Sequence, residues 1–95
     1  MERKLLRKYV IPPEVLFQEI DGDIVLLSTT TGNYYGMNQV ASRMWNLILQ
    51  NGSPEAAVRV LLEEYDVDEA QLIEYISKFV QSLLTAGLLF EEENL

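Results

Sequence analysis

The chain has 95 residues, 48% of them hydrophobic, with no His, no Cys and a formal net charge of −8. That length holds one domain, and the composition removes the commonest general base and metal ligand, any thiol nucleophile and any disulfide framework. From Tyr9 onward three basic residues stand against fourteen acidic ones, which excludes the clustered Lys and Arg that nucleic-acid docking needs.

Residues 1–14 read as an N-terminal arm, stiffened at its end by Pro12-Pro13, which also bars a helix there. Val15 to Ile20 has the composition of a first strand. Asp21-Gly22 is a hairpin signal, because both central residues of that turn need positive φ. Asp23 to Ser28 forms a second strand, whose unbroken run Ile24-Val25-Leu26-Leu27 predicts cover on both faces. Thr29-Thr30-Thr31-Gly32 makes a longer turn with Gly32 in the left-handed position. Asn33 to Met37 is the third strand. Coming late in a small sheet and followed by helices, it is expected to keep one open edge, a template for another chain.

Helices follow. Asn38 caps one that runs to about Gln50, with Val40, Met44, Leu47 and Ile48 on one apolar stripe widened by Ala41 and Trp45. Asn51-Gly52 ends it. Ser53 caps the second helix, and Pro54 takes its first position, where no amide hydrogen is needed. Ala57, Val58, Leu61, Leu62 and Tyr65 are its expected buried face. Asp68 caps a third helix with Gln71 in capping-box position, ending near Ala86 with Gly87 at C′. Leu88-Leu89-Phe90 is suited to a short extended return, and residues 91–95 to an acidic tail. The domain is then 15–90. Its fold class is α+β and winged helix-turn-helix-like: a three-stranded antiparallel sheet followed by three helices.

No chemical constellation emerges. Ser28, Thr29, Thr30 and Thr31 have no His or Lys nearby to activate them. The acidic runs lack the central Gly and terminal Glu of a calcium loop. No catalytic residue, metal or cofactor is expected. The candidate recognition helix carries Arg59 as its only basic residue, against Glu55, Glu63 and Glu64, so DNA binding is rejected. The longest apolar run is far short of the roughly 18–20 residues of a membrane span, and no apolar stretch follows the basic N-terminus, so no signal peptide is read. A soluble cytoplasmic protein without a membrane partner is expected. In the third helix Leu72, Ile73, Ile76, Phe79, Val80, Leu83 and Leu84 span roughly 140° of the circumference, more than a small core uses. The margin Leu72, Tyr75, Phe79 reads as a wall beside the third strand. Strand edge and wall make a groove for β-augmentation by an extended peptide.

The chain resembles the PqqD-like proteins, the small domains called RiPP recognition elements. The resemblance rests on Val25-Leu26-Leu27, then Gly32-Asn33-Tyr34-Tyr35-Gly36-Met37-Asn38, Ala41 and Trp45. It continues through Gly52-Ser53-Pro54-Glu55, Leu61, Tyr65, Phe79, Leu83-Leu84 and Gly87-Leu88-Leu89, and covers about residues 10–90. Tyr34-Tyr35-Gly36-Met37-Asn38 with Trp45 is most similar to stand-alone members from lasso-peptide gene clusters. The resemblance implies binding of the leader segment of a ribosomal precursor peptide and its presentation to a separate cysteine leader protease. Carried over, Gly32, Asn33, Tyr34 and Tyr35 offer backbone pairing, and Leu72, Tyr75, Ile76 and Phe79 line the groove. A monomer that is not itself an enzyme is expected. Two other readings stand beside it: a PqqD-type peptide carrier in quinone-cofactor biosynthesis, and a structural or regulatory winged helix whose open edge pairs with its own copy.

Overall fold

The computed structural model describes residues 6–92. Arg3 and Lys4 of the arm and the end of the acidic tail lie outside them. Eight elements follow one another: β1 (Tyr9–Val10), β2 (Val15–Ile20), β3 (Asp23–Ser28), β4 (Tyr34–Met37), α1 (Gln39–Asn51), α2 (Pro54–Glu64), α3 (Glu69–Thr85) and β5 (Phe90–Glu91). The main sheet is antiparallel in the order β2-β3-β4, and β1 pairs with β5 in a second, two-stranded sheet. The expected sheet and three helices are present. The arm and the C-terminal return are more than expected, because they pair with each other.

Local chemistry accounts for the element boundaries. Asp21 (φ 52°) and Gly22 (φ 88°) both take the positive φ that closes the β2–β3 hairpin. Asn38, Ser53 and Asp68 cap the three helices, accepting from the amides of Ala41, Ala56 and Gln71. Gly52, at φ 85°, closes α1 in the left-handed conformation.

The core lies between one face of the sheet and the helices. Ile24 and Leu26 from β3 and Met37 from β4 meet Met44, Trp45 and Ile48 of α1, Val58 and Leu61 of α2, and Ile76, Val80 and Leu83 of α3. The Phe17 ring lies edge-on to Trp45, with centroids 6.5 Å apart. Arg43 of α1 is paired with Glu64 of α2, and that hydrogen bond holds the Glu64 carboxyl below its ordinary value.

Three expectations are corrected here. Tyr65 is exposed because α2 ends at Glu64 and Tyr65 is extended (φ −125°, ψ 143°), which takes its side chain off the helical face. Val40 is also exposed, in the first turn of α1 ahead of the stripe that packs. The strand β3 is covered on one face only: Ile24, Leu26 and Ser28 are buried, whereas the alternate residues Val25 and Leu27 are half-buried.

Candidate peptide-binding site

The strand β4 is an end strand: among the described residues β3 pairs with it on one side and no strand pairs on the other. The N–H of Ser28 donates to the carbonyl of Asn33 at 3.0 Å, one step beyond the Leu27–Tyr34 pair. Hydrogen-bonded pairs alternate with non-bonded pairs along an antiparallel ladder. Asn33, Tyr35 and Met37 therefore turn their backbone groups toward β3. Tyr34 and Gly36 turn theirs to the free edge. The far end of the ladder agrees. There the N–H of Ile24 donates to Ser42 Oγ at 2.9 Å, and Ser42 Oγ–H donates to the carbonyl of Met37 at 3.3 Å. The hydroxyl stands in the last rung between Ile24 and Met37, which face each other.

The four backbone positions expected from sequence thus divide. Gly32 N–H donates to the Ser28 carbonyl at 2.7 Å, and Asn33 N–H to Thr31 Oγ1 at 3.2 Å. Both amides are held within the turn, where Gly32 has φ 78°. Tyr35 faces β3. Of the four, only Tyr34 offers outward backbone groups. The second outward residue is Gly36, which sequence reasoning missed. The signal was the two-residue alternation itself, but its parity needs one known rung.

An open cavity of about 290 Å³ lies at the start of β4, lined by Ser28, Asn33, Tyr34, Tyr35, Ala86 and Leu88. Its far wall is the chain just after α3. Ser28, Ala86 and Leu88 were not read as site residues, although Gly87-Leu88-Leu89 marked the end of the helix. The lining residues are neutral: two tyrosines, a serine, an asparagine, an alanine and a leucine. Such a site holds an uncharged side chain and offers no general base or ligand set. Among the described residues no group of three or more Asp or Glu is placed to hold a metal.

The expected wall on α3 is divided as well. Ile76 is fully buried and Phe79 is 7% exposed, so both belong to the core and offer a peptide little or no surface. Tyr75 is 49% exposed and Leu72 half-buried. Those two sit toward the start of α3, about 16 and 21 Å along the helix axis from the level of Ala86. The cavity gathers the start of β4 with the end of α3, and Tyr75 and Leu72 stand at the other end of that helix.

Residues 23–89 match the family model described as Coenzyme PQQ synthesis protein D (PqqD). The chain belongs to the PqqD family. Two solved structures resemble this PqqD-family domain along nearly their whole length. "TbiB1 in Complex with the TbiA(beta) Leader Peptide" is 32% identical, with a TM-score of 0.80 over 88% of this chain and 98% of that one. "Lasso peptide synthetase B1 complexed with the leader peptide" is 26% identical, with a TM-score of 0.81 over 87% of this chain and 98% of that one. Among curated proteins no sequence matches. No helix of the described residues is long and apolar enough to cross a membrane.

Proposed function

We propose that this PqqD-family domain is a RiPP recognition element that binds the leader of a ribosomally made precursor, a lasso-peptide precursor in the first instance. The observation that carries the reading is the free edge of β4, with the outward backbone groups of Tyr34 and Gly36, beside a cavity closed by Ala86 and Leu88. An extended peptide satisfies those groups as a fourth strand, and one of its side chains enters the cavity. About six extended residues, at roughly 3.3 Å each, reach from the cavity to the level of Tyr75. The two solved relatives, both leader-peptide complexes, support this reading.

The chain has no His and no Cys, so in this reading it is the binding half only. It acts in the cytoplasm and presents the leader to a separate cysteine protease. The PqqD description of the family supports one alternative, a peptide carrier in quinone-cofactor assembly. Titrating the protein with a labelled lasso leader and with a quinone-cofactor precursor separates the two. The expected result is saturable binding of the lasso leader, with new protection of the Tyr34 and Gly36 amides from hydrogen exchange. Binding that leaves both amides exchanging as before overturns strand addition at β4.

A further inference from the structure

The strand register places a second apolar surface on the side of the sheet away from the helices. Leu16 stands opposite Leu27, and Leu27 opposite Tyr34, so one row crosses all three strands. Gln18, Val25 and Gly36 form the next row. Ile20 follows beside the hairpin turn. Leu16 is 56%, Ile20 52% and Tyr34 74% exposed. A Cβ at Gly36 would meet nothing within 4 Å, so the β4 side of this face is open ground. Strand alternation sends Ile24, Leu26 and Met37 to the core instead. The apolar run of β3 is therefore only half used by the fold. Contiguous exposed apolar ground of this kind marks an interaction site.

Two features select the occupant. The first is continuity with the β4 edge. A peptide strand added there extends the same face by one strand, and its alternate side chains stand next to Tyr34. The second is charge. Glu14 precedes β2, and Asp21 and Asp23 sit at the hairpin tip, while no Lys or Arg occurs from Tyr9 to Ser42. A second copy of this chain would bring those carboxylates face to face. A partner with Lys or Arg around an apolar patch would meet them favourably.

We infer that the outer face of the β2-β3-β4 sheet, centred on Leu16, Ile20 and Leu27, docks the processing enzyme, through an apolar patch on that enzyme ringed by basic side chains. The inference rests on the leader-binding reading above. The enzyme then touches both the domain and the outward side chains of the bound leader, so it favours the loaded complex over either part alone.

The test uses the full chain with the leader protease encoded beside it. Leu16→Lys/Ile20→Lys and Leu16→Glu/Ile20→Glu are compared with the parent after circular dichroism confirms folding. Leu16 and Ile20 lie two strands from the pairing edge, so leader affinity stays within about twofold. Leader removal at limiting domain concentration falls at least about tenfold in the Lys pair, as for loss of a central apolar anchor. It falls less in the Glu pair, which keeps attraction to a basic rim. As the chain has no cysteine of its own, a Leu16→Cys variant carrying a photo-crosslinker gives a second measurement. It captures the protease, whereas the same label at Glu74 on α3 does not. Removal at parental rate in both pairs, equal loss in both, or no capture from position 16 overturns the inference. So does a parent that sediments as a dimer and Lys-pair variants that sediment as monomers, since a second copy then covers the face. A parent that fails to bind leader sinks the underlying reading instead, and the titration alone reveals that.

Discussion

At the residue scale, Ser42 and Gly36 carry more than their size suggests. Ser42 is 2% exposed, and its Oγ accepts from the Ile24 N–H at 2.9 Å. Ser42→Ala removes that buried hydrogen bond, which is worth about 0.5–1.5 kcal/mol. Urea unfolding is expected to show that loss. A change below about 0.5 kcal/mol, typical of an indifferent surface position, would mean that the rung is not needed. Gly36 acts through its main chain. Its outward N–H is free of the β3 ladder, and edge positions tolerate Pro. Gly36→Pro is expected to keep the fold and to weaken leader binding about fivefold or more, the worth of one lost hydrogen bond near 1 kcal/mol. Tyr35→Pro, which removes an inward rung, is the contrast and should destabilise the domain itself. A Gly36→Pro protein that binds leader like the parent would place the added strand elsewhere. On α3, truncating Ile76 or Phe79 acts on the core, where Phe→Ala costs about 3–5 kcal/mol. Tyr75 and Leu72 are the positions through which that helix presents apolar surface to a peptide.

At the scale of elements, the pairing of β1 with β5 clasps the two ends of the chain. Tyr9 faces Glu91 and Val10 faces Phe90. The Glu92 N–H donates to the Lys8 carbonyl at 2.9 Å, and Arg7 and Glu91 form an exposed ion pair at 3.0 Å. Such a pair is worth about 0–1 kcal/mol, so the clasp depends more on the buried Tyr9 ring. Burial, and then the Glu91 carboxylate, raise the Tyr9 hydroxyl above its ordinary value of 10.0, opposed by Arg7. Below pH 10 both folded and unfolded chains hold that proton, and the contribution of Tyr9 is intact. As pH rises through 10 the unfolded chain loses the proton first, so stability falls until the folded group also ionises. Tyr9→Phe keeps the ring and removes this limb. Urea midpoints measured from pH 8 to 11 are expected to decline more steeply in the parent than in Tyr9→Phe. Parallel declines would show that the limb originates elsewhere.

At the scale of the whole molecule, one sheet serves two purposes. Its inner face closes a core with three helices, and β4 leaves an edge and a cavity beside the end of α3. The parts legible from sequence were those set by neighbours along the chain. Asp21-Gly22 required positive φ, Asn38, Ser53 and Asp68 offered acceptors to nearby amides, and Pro54 and Gly87 marked one start and one stop. The three-stranded sheet and three helices followed from those signals and from two periodicities. Other features depended on groups brought together from far apart. Tyr9 and Glu91 form a pair across nearly the whole chain. Ser42 enters a rung between two strands, and Ala86 and Leu88 close a cavity begun at Ser28. Periodicity placed Phe79 and Ile76 on the same stripe as Leu72, but only packing could divide that stripe into core and surface. It likewise showed β3 to be apolar without saying which face the helices would cover. The sequence by itself determined the three strands of the main sheet, the three helices and their order, because turns, caps and helical or strand periods act within a few residues. The tertiary structure alone decided which backbone groups of β4 face outward, because that parity depends on a hydrogen bond to another strand.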